Sequence, residues 1–247
     1  MSLPVHWVPS LDDPAVGSVV EVEGDEAHHA VAVRRLRIGE LVILTDGLGR
    51  AVTGHVASTG KRAFSVTVES VADLPMPSPS VTVVQAIPKG DRGELAVEVL
   101  TEIGVQRIIP WAAARSVAVW KGERADKQLA RWRSTAREAA KQARRSWFPE
   151  VTDLATTERV IALVAESDLT VVLHEAERQT LGPLADSVDE SVVVVVGPEG
   201  GLTDEEVEAF VAAGAHVVRL GPEVLRTSTA GVAAVAALLS RTERWGN

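Results

Sequence analysis

The sequence predicts an α/β protein: a parallel sheet covered by helices, preceded by a small, largely β domain. Three observations carry that expectation. Val192 to Val196 are five consecutive valines, the unbroken apolar run of a strand buried on both faces, as central strands of parallel sheets are. Beyond Val81, strand-like and helix-like segments alternate, which is the pattern of a sheet flanked by helices. Before that point short apolar runs recur at period two, and "LPMPSPS" (Leu74 to Ser80), with its three prolines, separates the two regimes as a linker. The expected division is residues 1–73, a linker over 74–80, and residues 81–247.

In the first segment "VHWV", "VVEV", "LVILTDGLGRAVTGHV" and "FSVTVESV" read as strands, the third folded into a hairpin at "DGLGR". "DEAHHAVAVRRLRIGE" (Asp25 to Glu40) reads as a helical insertion. After the linker, "VTVVQAI" is a strand, "GELAVEVLTEIGV" a helix and "RIIPWAA" a strand. "DKQLARWRSTAREAAKQARR" is a long amphipathic helix. Its apolar row is Leu129, Trp132, Ala136, Ala139 or Ala140, and Ala143; its basic row is Arg133, Arg137, Lys141 and Arg144 or Arg145. "TVVLHE" and "SVVVVVG" are strands. "TDEEVEAFVAAG" is a helix in which Thr203 and Glu206 form a capping box. "HVVRLG" is the last strand, and "TSTAGVAAVAALLSRTERW" a small-residue, apolar final helix.

Composition removes several function classes. Cysteine is absent, which excludes disulfides, thiolate metal sites and a cysteine nucleophile. The six histidines form no ligand cluster, and adjacent His28 and His29 diverge on a helix, so no metal is expected. No apolar run reaches the roughly 18 residues of a membrane span. "MSLPVHWVPS" lacks the features of a signal peptide, so the expected compartment is the cytoplasm. Without tyrosine and with three phenylalanines, a base-stacking sheet is disfavoured. Net charge is −9, yet Arg115 to Arg145 contain ten basic and three acidic residues. That local excess suits either a solvated helix face or a polyanion-binding stripe on an acidic body.

Two strands, expected to be neighbours, end in the loops "GPEGG" and "LGPEVLRTSTA". Ligands of open parallel sheets sit outside the carboxyl ends of the strands, and glycines let the backbone approach them. Neither loop is a phosphate cradle, since no G-x-G-x-x-G follows a strand and no P-loop is present. A dinucleotide-dependent oxidoreductase is disfavoured for that reason.

"GPEGGLTDEE" with "LGPEVLRTSTA" resembles the paired signatures of the SPOUT class of S-adenosylmethionine-dependent RNA methyltransferases. The resemblance narrows to the bacterial ribosomal RNA small subunit methyltransferase E family, which methylates uridine N3 in 16S rRNA. It also covers "HHAVAVRRLRIGE", "KGDRGELAVEVLTEIGV", "RSV" (Arg115 to Val117), "REAAKQARR" and "LHEA". Departures are Leu202, Glu223 and Ser228, where the family commonly has an aromatic, an arginine and an acidic residue.

The resemblance implies a PUA-like β-barrel at the N-terminus and a catalytic domain closed by a deep trefoil knot. It implies a homodimer, for which the final helix offers Ala230, Ala233, Ala234 and Ala237. It places S-adenosylmethionine against Leu173, Gly197, Pro198, Glu199, Gly200, Leu220, Gly221, Leu225, Arg226, Thr227, Thr229 and Ala230. The substrate is 16S rRNA or the 30S subunit, held by Arg34, Arg35, Lys89, Arg92, Arg137, Lys141, Arg144 and Arg145 with salt-sensitive affinity. Arg226 is the candidate to hold charge developing on the base, and Glu199 either orients, accepts a proton or is structural. Without a thiolate, uridine C5 methylation is excluded, which leaves N3 or a ribose 2′-oxygen. From another class, a non-catalytic RNA-binding adaptor on the same fold would account for the same residues.

Overall fold

A computed structural model describes residues 3–245. The chain forms two compact units, and the division is not linear: residues up to Met76 join Ala140–Phe148 in the first, while Pro77–Ala139 and everything after Pro149 form the second.

The first unit is a five-stranded sheet built from β1 (Val5–Trp7), β2 (Val19–Glu23), β3 (Leu41–Thr45), β4 (Arg50–Thr59) and β5 (Ala63–Asp73). The ladder runs β1-β3-β4-β5-β2, and no pairing joins its two edge strands among the described residues. The sheet surrounds a core of Val42, Leu44, Phe64 and Val66. β1 pairs parallel to β3, a long-range pairing that a period-two reading does not reveal. The helical insertion is shorter than its pattern: α1 (Gly24–His28) passes into a π-helical turn (His29–Val33). It stops because Arg35 takes a left-handed conformation (φ 57°) and the Leu36 N–H reaches back to the Ala30 carbonyl (3.1 Å), burying Leu36.

Residues 140–148 contain the end of α3 (Glu123–Gln142). The Arg145 and Arg144 N–H groups bond the Ala140 and Lys141 carbonyls (2.9 and 3.1 Å), with Arg144 at φ 55°. This is a Schellman closure with arginine where glycine is usual. Ala143, Arg144 and Arg145 therefore lie beyond the helix and do not continue its apolar and basic rows. Inside the same unit the Lys141 ammonium donates to Glu26 Oε2 (2.7 Å), with side chains only 9% and 13% exposed. His6 Nδ1 meets Glu26 Oε1 at 3.2 Å. Burial raises the Glu26 pKa, but the hydrogen bonds from His6 and Lys141 outweigh it and hold the carboxyl down at about 2.

The second unit is a six-stranded parallel sheet: β6 (Ser80–Ala86), β7 (Arg107–Trp111), β8 (Glu150–Val151), β9 (Thr170–Leu173), β10 (Ser191–Val196) and β11 (His216–Val218), ordered β11-β9-β10-β6-β7-β8. Its helices are α2 (Arg92–Glu102), most of α3, α4 (Thr157–Ala165), α5 (Gly182–Ala185), α6 (Asp204–Ala212) and α7 (Thr227–Leu239). β8, α4 and α5 have no counterpart in the sequence reading. The valine run is explained by strand alternation. Val192, Val194 and Val196 enter one core with Val81, Leu100, Trp132 and Leu238, whereas Val193 and Val195 enter a second with Trp111, Val160 and Phe210. Trp132 meets Trp120 edge to face at 5.1 Å. The strands carrying the two glycine loops are not neighbours, because β9 runs between β10 and β11. In α7 Ala234 is wholly buried and faces the core, which removes it from the exposed alanine row; Ala230, Ala233 and Ala237 keep exposure.

Candidate functional site

Three of these parallel strands, β9, β10 and β11, deliver their carboxyl ends to a single cavity of about 520 Å³, where a ligand of such a sheet is expected. The volume lies in the range of small-molecule and cofactor sites.

The loop after β10 is fixed from several sides. A turn closes it, with the Gly201 N–H donating to the Pro198 carbonyl (2.9 Å). At its end Thr203 and Glu206 form the expected capping box on α6. Buried Glu206 also accepts from the Ala114 N–H (2.9 Å), and the Arg115 guanidinium donates to the Leu202 carbonyl (2.9 Å). Gly200 is favoured here by space: a Cβ would lie 3.0 Å from both the Cβ and the carbonyl oxygen of Arg115. Glu199 Oε1 accepts the Lys89 N–H (3.1 Å).

The loop after β11 is different. Residues 220–225 make no backbone-to-backbone hydrogen bond among the described residues. Polar main-chain groups need partners; residues 220–225 line the cavity, and Pro222 to Leu225 are exposed, so these groups are open to solvent or to a ligand. The segment is pinned at its exit, where the Gln85 Nε2 donates to the Thr227 carbonyl (3.3 Å). Arg226 is the N-cap of α7, extended at φ −73° and ψ 150°, and its carbonyl accepts the Thr229 and Ala230 N–H groups (2.9 Å each). Arg226 shares the cavity wall with Arg92, Arg115 and Arg219, and of the four it and Arg92 stand at helix starts.

The structure brings together Leu173, Gly197, Pro198, Glu199, Gly200, Leu220, Gly221, Leu225, Arg226, Thr227 and Ala230 around this cavity. Thr229 is not among its lining; its hydroxyl bonds the Arg226 carbonyl (3.3 Å) within the first turn of α7. Arg92, expected to hold RNA, lines the cavity itself. The sequence reading passed over the roles of Arg115, His174, Glu175, Arg219 and Glu223, all in the wall. His174 and Arg219 each follow the last residue of a strand, and strand ends were the signal that could have found them.

The remaining basic candidates separate by environment. Lys89 is exposed, as are Arg34, Arg35, Arg137 and Arg144, while Arg145 is half-buried. Lys141 is withdrawn from any surface role by its buried pairing with Glu26. Among the described residues no group of acidic and histidine side chains is arranged to hold a metal, and no helix is long and apolar enough to cross a membrane.

Residues 75–239 match the model of an RNA methyltransferase domain and residues 22–69 that of an RNA methyltransferase PUA domain. The chain is 44% identical over 236 residues to ribosomal RNA small subunit methyltransferase E of Mycobacterium tuberculosis, covering 94% of this chain and 90% of that protein. It is 32% identical over 233 residues to the Bacillus subtilis protein of the same name, covering 90% of each. It is also similar to the crystal structure of the Neisseria gonorrhoeae ribosomal RNA small subunit methyltransferase E bound to S-adenosyl methionine. That likeness has a TM-score of 0.85 and 27% identity, over 97% of this chain and 98% of that one.

Proposed function

The chain belongs to the ribosomal RNA small subunit methyltransferase E family, and from that premise we propose that it methylates N3 of a uridine in 16S rRNA, near the decoding site of the small subunit, with S-adenosylmethionine as donor. The observation that carries the proposal is the cavity at the ends of β9, β10 and β11, with the main chain of residues 220–225 left open toward it. A donor with an adenine, a ribose and a charged amino-acid tail fits such a wall. Leu173, Leu220 and Leu225 supply an apolar slot, Gly197, Pro198, Gly200 and Gly221 supply close backbone, and Thr227 and Ala230 close the floor. The cofactor supplies an electrophilic methyl group when bound.

The rest is done by the chain. As the N3 proton passes to water, negative charge spreads over the uracil O2 and O4, and Arg226 at the start of α7 holds that charge. The guanidinium keeps its own charge throughout. Rate then comes from placing base and donor in line against the bonded loop after β10.

Around this site we read a deep trefoil knot, in which α7 passes behind the segment joining β9 to β10. In support, the chain leaves the edge strand β11 yet α7 packs on the inner strands β10 and β6 and on α2, while α5 in that segment packs on α7. Knots are very rare, and the family membership adds to the geometric support. A homodimer through Ala230, Ala233 and Ala237 of α7 completes the proposal, with the protein acting on rRNA in the cytoplasm.

Purified protein, S-adenosylmethionine and 16S rRNA or 30S subunits, followed by nucleoside mass spectrometry, test it. The expected product is 3-methyluridine. A methyl on a ribose oxygen assigns the chain to the 2′-O chemistry instead, and donor binding without any product makes it an adaptor.

A further inference from the structure

Glu199 sits in the cavity wall, but its carboxylate is already engaged. Oε1 accepts the backbone N–H of Lys89 at 3.1 Å. Lys89 belongs to the short connection from β6 to α2, which turns at Gly90 (φ 68°) and leads directly into Arg92. That connection has little else to hold it: Lys89, Gly90 and Asp91 are exposed, and among the described residues no other hydrogen bond reaches Lys89, Gly90 or Asp91 from outside α2. Arg92, one turn-residue beyond, also lines the cavity. One carboxylate therefore ties an exposed connection that carries Lys89 and leads into Arg92 to a loop that is itself held by Arg115 and the Glu206 capping box.

From this geometry we infer that Glu199 is a positioning residue: it fixes the Lys89–Arg92 connection so that two cations meet the RNA substrate beside the donor cavity, and it does not take the uridine proton. The inference deepens the proposed methylation and rests on it. An oxygen that accepts a main-chain N–H orients that chain; a proton acceptor for the substrate needs its oxygen directed at the base. The bond also makes the β10 loop the common support of two functions. Its inner side faces the donor, and its outer edge holds the cationic connection that faces the polyanion.

Positioning and proton transfer predict opposite behaviour for two substitutions. Glu199→Gln keeps an accepting oxygen at the same reach but cannot act as a base. Glu199→Ala removes the acceptor. Steady-state methylation of 16S rRNA, with S-adenosylmethionine affinity measured separately by calorimetry, is expected to show a rise in the RNA KM of roughly three- to tenfold for Glu199→Ala, the size of one lost solvent-exposed hydrogen bond. Glu199→Gln brings the RNA KM back toward wild type with an unaltered pH profile. In a Lys89→Ala/Arg92→Ala background, Glu199→Ala adds little, because the groups it orients are gone. If Glu199→Gln loses kcat as heavily as Glu199→Ala, or the acid limb of the pH profile vanishes with it, the carboxylate acts chemically and the inference is overturned. An additive effect in the double background overturns it too. A wild-type protein that binds donor but never methylates rRNA sinks the proposed function along with the inference. A wild-type protein that methylates while Glu199→Ala leaves the RNA KM unmoved sinks the inference alone.

Discussion

The two loops that meet at the cavity are built on opposite principles. The loop after β10 is held by its own turn, by Arg115 from one side, by the capping box on α6 and by the Lys89 amide. The loop after β11 has no backbone bonds of its own from 220 to 225 and is fastened only where α7 begins. A bonded loop is a template and sets shape without a ligand. An unbonded one keeps its donors and acceptors in reserve, and its order is completed by what it binds. Stability should therefore reside in the first loop and activity in the second, and substitutions can pull the two apart.

The largest effect is expected in the open loop. Arg226→Ala should lower kcat for methylation by roughly 10²- to 10³-fold, while thermal unfolding stays where it is, since the side chain is exposed and its backbone makes the capping bonds. A melting point that falls together with activity would make Arg226 a structural residue and erase the contrast. Lys141→Ala tests a control far from either loop in sequence. It leaves the buried Glu26 carboxylate with only His6 and the Trp7 amide as partners, and a loss of about 1–3 kcal/mol in unfolding free energy is expected, with donor affinity measured by calorimetry unaffected. Acid probes the same group. The Glu26 pKa is depressed to about 2 from 4.5, so the stability it contributes is present above about pH 4.5 and is lost as pH falls toward 2. Denaturant midpoints measured across that window should drop in the wild type and be much flatter in Glu26→Gln.

Glu206→Ala strikes the bonded loop. It strips acceptors from the Thr203 and Ala114 amides (3.0 and 2.9 Å) and should cost about 2–3 kcal/mol, or roughly 5–10 °C in Tm for a chain of this size. The smallest change is expected for Gly221→Ala. A Cβ there meets nothing closer than Glu223 Oε2 at 3.5 Å, so stability should move by less than about 0.5 kcal/mol, and any effect should appear in donor Kd. A Tm loss comparable to that of Glu206→Ala would show that the open loop is as rigidly specified as its partner.

Much of this was legible in the residues. The parallel sheet followed from Val192–Val196, because alternation within a doubly buried strand leaves no polar position. The capping box at Thr203 and Glu206 followed from spacing alone. Eleven of the twelve residues that the family resemblance assigns to the donor line one cavity, because they lie at or after the ends of strands that meet there; the donor's place in it is part of the proposed function. What stayed hidden depends on distant partners. That β9 runs between β10 and β11 is a property of topology, not of any local pattern. Arg35 and Arg144 end their helices in left-handed geometry, where no glycine announces the stop. Lys141 looked like part of a basic stripe, because only the fold reveals Glu26 beside it. Ala234 was indistinguishable in sequence from alanines one turn away that keep exposure.

Gly200 has a consequence for chemical intervention. With an Arg115 Cβ and carbonyl 3.0 Å from where its own Cβ would stand, that stretch of the cavity wall admits a side chain only if Arg115 yields by a few tenths of an ångström. A small molecule that gains its affinity from main-chain groups there confronts a surface that single-residue changes can hardly reshape without disturbing the enzyme itself. Escape variants selected against such a compound should accordingly cluster at Glu223 and Val224, where the rim is exposed.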